Sequence, residues 1–284
     1  MSELCWLNGQ VVPLSEAKVS VEDRGFLFAD GVYEALRIYN GKPFGLTAHL
    51  NRLERSCGGI ELAMPISKPA LAEAILGLIG RSGQPRDAMV YLQVTRGPSP
   101  RNHLYPKDPK PTVFFYVRTM QPLAAVGASA PYSLLSVKDE RWQKCWIKSL
   151  ALLANVLARN EAARAGADEA IFIHEGNVTE GASSNLFVVK GGSLVTHPLG
   201  AKILPGVTRD MLLDCARKIG VKVEERAVKL EEATRADEVF VTSATREIMW
   251  VSKWDGKAVG GEICGPVTRK LHEEYRSRVK SATT

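Results

Sequence analysis

Val32-Tyr33-Glu34-Ala35-Leu36-Arg37-Ile38-Tyr39-Asn40-Gly41 reads as a β-strand closed by a tight turn. Its β-branched and aromatic residues suit a pleated strand, and side chains two apart share a face. Tyr33, Ala35 and Arg37 therefore lie together on one side. Asn40-Gly41 accepts the positive φ that a two-residue hairpin requires. Just beyond, Thr47 can cap a helix running to about Cys57, with Gly58 as its stop.

The same punctuation recurs along the chain. Asn8-Gly9 separates Cys5–Leu7 from Val11–Val12, while Gly191-Gly192 and Asp255-Gly256 each divide a pair of apolar runs. Antiparallel pairing is expected at each. Further strands are expected over 88–95, 112–117, 132–137, 169–173 and 238–241. Ser67 begins a second helix that ends near Ser82-Gly83. Ser149 opens a third, whose stripe of Leu150, Leu153, Ala154, Leu157 and Ala158 is closed by Gly166. Met211, Leu212, Cys215, Ala216 and Ile219 form a similar stripe before Gly220, and a last helix is expected from Pro266 to Val279. Strands alternating with helices give an α/β (α+β) chain. The small residues of Met120–Ala130 mark the boundary: a domain over 1–120, a linker over 121–130 and a second domain over 131–284. A crevice between two such domains is where a ligand is expected.

Composition narrows the function classes. With 45% apolar and 24% charged residues in 284, the chain matches ordinary globular proteins, which argues against disorder and fibrous repeats. No run approaches the ~18 uncharged apolar residues of a spanning helix, so no membrane partner is expected. Met1-Ser2-Glu3-Leu4-Cys5-Trp6 does not read as a secretory signal. The five cysteines, Cys5, Cys57, Cys145, Cys215 and Cys264, are odd in number and form no Cys-x-x-Cys. That argues against a disulfide framework or a zinc site and fits a cytoplasmic protein. The net charge of +6 comes from 37 basic residues scattered among 31 acids. Even Arg269–Lys280 is broken by Glu273 and Glu274, so no nucleic-acid partner is expected. Five unpaired histidines make a metal site unexpected. His272-Glu273 lacks the second histidine of a zinc-protease helix, since Arg276 stands there.

What remains suits an anionic aromatic cofactor. Lys148 lies between Trp146-Ile147 and the apolar helix at Ser149, where partial burial would make its amine a better nucleophile. Leu204-Pro205-Gly206-Val207-Thr208 precedes a strong helix, leaving the amides of Val207 and Thr208 free for a phosphate. Thr242-Ser243-Ala244-Thr245 offers a second group of amides and hydroxyls after a strand. Arg52 could add a charged fork. Glu180, among small residues between two apolar runs, could pair with a protonated ring nitrogen. Each of these, taken alone, is also an ordinary turn, cap or surface residue.

Their order along the chain is specific. Glu22-Asp23-Arg24-Gly25-Phe26, Asp30-Gly31-Val32-Tyr33-Glu34, His49-Leu50-Asn51-Arg52-Leu53, Ile147-Lys148-Ser149-Leu150, Thr179-Glu180-Gly181 and Leu204-Pro205-Gly206-Val207-Thr208-Arg209 follow one another as in a known family. From about Val19 to the last helix, the chain resembles the fold-type IV pyridoxal phosphate enzymes, the class IV aminotransferases, and among them the D-amino-acid transaminases. The resemblance implies a smaller N-terminal α/β domain, a larger C-terminal domain with a barrel-like sheet, and pyridoxal 5'-phosphate between them. It implies that Lys148 is the catalytic lysine that bonds the cofactor and that Glu180 meets the pyridine nitrogen. Arg52, the Val207 and Thr208 amides and the turn at Ser243-Ala244 would hold the phosphate, with Leu204 against the ring. Tyr33, Arg101 and His103 would bind the substrate α-carboxylate, the last two in the Arg-x-His pattern. The implied reaction moves the amino group of a D-amino acid, such as D-alanine, to a 2-oxo acid by a ping-pong route, in a homodimer. Arg37 is similar to an arginine of the branched-chain aminotransferases and is a further substrate-binding candidate. Ala244 and Arg246 also depart from the D-amino-acid pattern. A branched-chain L-amino-acid aminotransferase or an aminodeoxychorismate lyase is thus the alternative, and the Arg101-Asn102-His103 pattern argues against both.

Overall fold

The computed structural model describes residues 3–284, so Met1 and Ser2 lie outside the described residues. The chain divides into two compact units. One takes the residues up to Pro122, together with Ile147–Ala151 and Ser281–Thr284; the other takes Leu123–Trp146 and Leu152–Lys280.

The first unit is a six-stranded sheet with helices on one face. Its strands are β1 (Leu4–Leu7), β2 (Gln10–Pro13), β3 (Gly31–Tyr39), β4 (Lys42–Pro43), β5 (Asp87–Thr95) and β6 (Thr112–Thr119), in the order β2-β1-β6-β5-β3-β4. The helices are α1 (Arg24–Phe28), α2 (Leu46–Gly59) and α3 (Lys68–Arg81). Asn8-Gly9 and Asn40-Gly41 close two-residue hairpins, all four residues at positive φ. Ser67 caps α3 by accepting from the Ala70 amide, as its position suggests. Thr47 does not cap α2: the helix starts one residue before it, and Gly45 in the left-handed region turns the chain into it. Along β3, Val32, Glu34, Leu36 and Ile38 face the core, where Leu50, Leu53, Leu71, Ile75 and Leu78 cover them. The opposite face carries a row of stacked tyrosines, Tyr33–Tyr91–Tyr116, across β3, β5 and β6.

The second unit holds a ten-stranded half-barrel sheet. Its strands are β7 (Tyr132–Lys138), β8 (Glu169–His174), β9 (Asn177–Gly181), β10 (Asn185–Lys190), β11 (Ser193–Thr196), β12 (Val223–Glu225), β13 (Val228–Lys229), β14 (Glu238–Ser243), β15 (Glu247–Trp254) and β16 (Lys257–Ala258). The order is β12-β11-β10-β14-β15-β7-β8-β9-β13, with β16 beside β15. Gly191-Gly192 and Asp255-Gly256 close hairpins as expected, and Glu175-Gly176 closes another that the sequence reading did not single out. Not every pair is antiparallel. β7 runs parallel to both β8 and β15, and β11 runs parallel to β12. The helices are α4 (Leu153–Arg164), α5 (Val207–Lys218), α6 (Leu230–Ala233) and α7 (Pro266–Thr283), the last four residues longer than expected. Among the described residues, no helix is long and apolar enough to cross a membrane.

Helix α4 corrects the sequence reading in two ways. It begins at Leu153 rather than Ser149, because Ser149 bridges to Val32 and the Leu150 amide donates to the Gly31 carbonyl. Residues 147–151 are thus held as an extended segment along β3. The buried face of α4 is also not the leucine stripe. Ala158 and Ala162 pack inward, while Leu153, Val156 and Leu157 stay 71%, 50% and 62% exposed.

Candidate active site

In the first unit the lysine segment lies against β3 and α2, and each face of β3 carries polar groups beside it. The Tyr33 amide donates to the Lys148 carbonyl (2.9 Å), the Lys148 amide donates to Ser56 Oγ (3.2 Å), and Lys148 Nζ lies 4.2 Å from the Tyr33 ring centroid. Lys148 is half-buried. On the core side of β3, Glu34 meets Arg52 and His49 of α2, which sit three apart and so share a helix face. Arg52 Nε lies 2.8 Å from Glu34 Oε1 and Nη2 lies 2.8 Å from Oε2, and His49 Nδ1 lies 2.7 Å from the same Oε2. Burial alone would raise the Glu34 pKa; the Arg52 charge and hydrogen bonds, helped by His49, outweigh it and hold the carboxyl at about 2. His49 moves down chiefly through burial, against the pull of Glu34, with the Arg52 and Lys148 charges adding to the fall. A neutral His49 beside an ionised carboxylate donates from Nδ1. The sequence reading missed Glu34, although its phase with Leu36 and Ile38 was a signal: a carboxylate on a buried strand face demands a cation.

Arg101 and His103 lie elsewhere in this unit. Both pack on the Phe28 ring, at 5.3 Å each, in the exposed loop between β5 and β6. No hydrogen bond or ring contact joins them to Tyr33 or Lys148 among the described residues. Arg37 is on the Tyr33 face, as alternation requires, but it is buried and committed to Asp87 Oδ1 (3.0 Å) and the Gln121 carbonyl (2.8 Å). The structure does not bring it to Lys148.

In the second unit Glu180 is the last residue but one of β9, with its side chain buried. It accepts from Arg141 Nη1 (2.5 Å), Asn185 Nδ2 (2.9 Å) and the Leu204 amide (2.9 Å). Arg141 also grips Asp139 through Nε and Nη2, and Lys202 Nζ donates to the Arg141 carbonyl. Burial pushes the Glu180 carboxyl up to about 7; Arg141 and the Leu204 amide oppose that rise, and Asp139 reinforces it. Asn185 also donates to the Leu204 carbonyl (3.0 Å), so the strand carrying Glu180 and the turn carrying Leu204 are fixed to one another. Arg141 and Asn185 are the residues that sequence reasoning missed here.

That turn leads into α5. No side chain caps the helix at Gly206, so the amides of Val207 and Thr208 open at its N-terminus. Ser243 and Ala244 stand at the end of β14, where Ser243 Oγ accepts from the Arg246 amide (3.2 Å). The Thr242 hydroxyl just before them is buried without a hydrogen-bond partner. Arg246 is exposed and donates to the Tyr132 hydroxyl (2.7 Å).

The chain belongs to the class IV aminotransferases: the Amino-transferase class IV model matches residues 31–254. A D-alanine aminotransferase of Bacillus licheniformis is 40% identical over 276 residues, 97% of this chain and 97% of that relative. Another, of Staphylococcus haemolyticus, is 37% identical over 287 residues, 98% and 99% of the two chains. The solved structure of a branched-chain amino acid aminotransferase of T.th. with pyridoxamine 5'-phosphate superposes with a TM-score of 0.90 at 28% identity, covering 99% of this chain and 95% of that one.

Proposed function

We propose that this aminotransferase uses pyridoxal 5'-phosphate to move the amino group of D-amino acids, D-alanine among them, to a 2-oxo acid by a ping-pong route. The observation that carries the reading is the near-full-length likeness to D-alanine aminotransferases, at 37–40% identity against 28% for the branched-chain structure. The residues present fit the cofactor. The uncapped α5 amides and the unpartnered Thr242 hydroxyl supply donors of the kind a phosphate takes, and Glu180 is an acceptor suited to a cationic ring nitrogen.

Pyridoxal phosphate, when bound, supplies the carbonyl that takes up the amino group and the ring that accepts an electron pair. Lys148 would hold the cofactor covalently and, once its amine is set free by the incoming substrate amine, would move the proton at substrate Cα as base and acid. Glu180, oriented by Arg141 and Asn185, stabilises positive charge on the ring nitrogen. The Val207 and Thr208 amides, with Ser243 and Ala244, would take the phosphate, and Leu204 would lie against the ring. Arg52 adds positive charge for the phosphate, held in orientation because Nε and Nη2 are given to Glu34. Tyr33 orients the substrate carboxylate, while Arg101 and His103 bind it. Arg37, spent on Asp87, takes no part.

The working unit is a homodimer in the cytoplasm. The apolar side chains exposed on α4 support a second copy as their cover, and five buried free cysteines suit a reducing compartment. Leu157→Asp is expected to yield monomers in light scattering; an unchanged mass would place the contact elsewhere.

The deciding experiment adds D-alanine or L-leucine separately to the cofactor-loaded protein and follows the visible absorbance. D-alanine alone should bleach it. Bleaching by L-leucine alone would mark a branched-chain enzyme. Borohydride reduction should place the cofactor on Lys148, and Lys148→Ala should leave no turnover.

A further inference from the structure

Glu22-Asp23-Arg24-Gly25-Phe26 has no role in the reaction as described. Yet Arg24 is only 3% exposed, and its guanidinium reaches out of its own helix into the loop that carries Arg101 and His103. Nε donates to Asp30 Oδ2 (2.7 Å). Nη1 donates to the Asn102 carbonyl (2.5 Å) and more weakly to that of Leu104 (3.4 Å). The Phe28 ring packs 4.9 Å from the Arg24 guanidinium, and the same ring carries Arg101 and His103.

We propose that Arg24 is a positioning residue for the substrate-carboxylate loop: it fixes the backbone between Arg101 and His103 and so sets where those two side chains stand. The proposal rests on reading Arg101 and His103 as carboxylate ligands.

The surroundings explain why the job falls to a buried arginine. Residues 101–105 are all exposed and form no regular structure, so the loop has no core of its own. Its stem is pinched instead. Gly97, at φ +86°, passes so close to the Lys110 carbonyl that a Cβ would lie 1.7 Å from that oxygen. Asp23 ties both stems, accepting from Thr95 Oγ1 (2.9 Å) and Thr112 Oγ1 (2.6 Å). Asp30 completes the anchor by taking a second arginine. Arg96 Nε lies 2.9 Å from the same Oδ2, Arg96 also donates to the Ile60 and Glu61 carbonyls, and its guanidinium stacks 3.7 Å from the Tyr105 ring centroid. Only a planar fork can reach Asp30 and the Asn102 carbonyl at once. Asp30 immediately precedes β3, so the strand presenting Tyr33 and the loop presenting Arg101 and His103 share one buried hub.

The test is a kinetic double-mutant cycle on the cofactor-loaded enzyme, with D-alanine as substrate. Arg24→Gln should raise KM at least about 10-fold while kcat and the cofactor's visible absorbance stay nearly unchanged, since misplacing a binding group acts on association. Arg24→Lys should restore only part of the loss. In an Arg101→Ala background, Arg24→Gln should add less than about 2-fold, because its effect passes through the loop. Hydrogen exchange gives a readout without turnover: amides 102–105 should exchange faster in Arg24→Lys, while those of β3 keep their protection. Unchanged exchange at 102–105, an unchanged KM, or effects that multiply in the cycle would overturn the proposal. If Arg101→Ala itself leaves KM unchanged, the carboxylate reading falls and this proposal with it. If Arg101→Ala raises KM and Arg24→Gln does not, this proposal alone falls.

Discussion

Glu34 and Glu180 are both fully buried glutamates, and both meet an arginine. They nevertheless end at opposite sides of the ordinary carboxyl range, about 2 and about 7. Burial pushes both upward, so the difference lies in the partners. Arg52 gives two nitrogens to Glu34, and His49 adds a third donor. Arg141 gives Glu180 one nitrogen and spends Nε and Nη2 on Asp139, whose own charge repels Glu180. Asn185 and the Leu204 amide satisfy hydrogen bonds but bring no charge. A buried carboxylate is thus held ionised by an arginine that gives it two nitrogens, and left poised by one that gives it a single nitrogen and the other two to a second acid. Glu34 is a structural counter-ion. Glu180 is suited to respond to a positive charge brought to it.

The strongest way to break that contrast is to remove each carboxylate charge in turn. Glu34→Gln removes the negative charge facing the buried Arg52 guanidinium and should cost about 3–5 kcal/mol of unfolding free energy, measured by denaturant titration at pH 7.5. The wild-type Glu34 contribution is fully present above its unfolded pKa of 4.5 and is lost as pH falls through about 2. A loss below about 1 kcal/mol in Glu34→Gln would mean that Arg52 has another partner of equal worth.

Glu180 should behave with the opposite sign. Between 4.5 and about 7 its folded form holds more protons than its unfolded form, so its contribution falls as pH rises through that window. Glu180→Gln has no such term, and any fixed packing cost cancels between two pH values. From pH 4.5 to pH 8, the cofactor-free variant should therefore gain roughly 3 kcal/mol relative to wild type. A constant difference across that range would show that Glu180 is as firmly ionised as Glu34.

The contrast was only partly readable from the sequence. Asn8-Gly9, Asn40-Gly41, Gly191-Gly192 and Asp255-Gly256 announce their hairpins because a two-residue turn depends on local backbone freedom. Pairings such as Arg24 with Asn102 or Arg141 with Glu180 join residues far apart in the chain, and no local rule fixes them. Alternation did place Arg37 beside Tyr33. It could not show that Asp87, across the strand pair, would take the guanidinium. On α4 the apolar stripe marked leucines that this chain leaves exposed. The inner face uses Ala158 and Ala162 instead, because small side chains let the helix approach the sheet closely. A stripe tells that a face is apolar, not what covers it.

The smallest expected effect separates charge from hydrogen bonding at Glu180. Asn185 Nδ2 donates to Glu180 Oε2, and its Oδ1 is so near α5 that a Cβ on Gly206 would lie 2.0 Å from it. The amide is therefore wedged in place, and Asn185→Ala removes a fixed donor without changing any charge. Hydrogen bonds to ionised groups are worth about 1.5–3 kcal/mol, but Arg141 and the Leu204 amide stay to share the load. The titration midpoint of Glu180, followed by carboxyl carbon NMR in the cofactor-free protein, should rise by about one pH unit. The matching change on the other side, His49→Phe, removes one donor from Glu34 and leaves the Arg52 fork intact. Glu34 should then still titrate well below 4.5. Were the Asn185 variant to leave Glu180 unmoved while His49→Phe brought Glu34 up to the ordinary range, the roles argued for charge and hydrogen bonding would have to be exchanged.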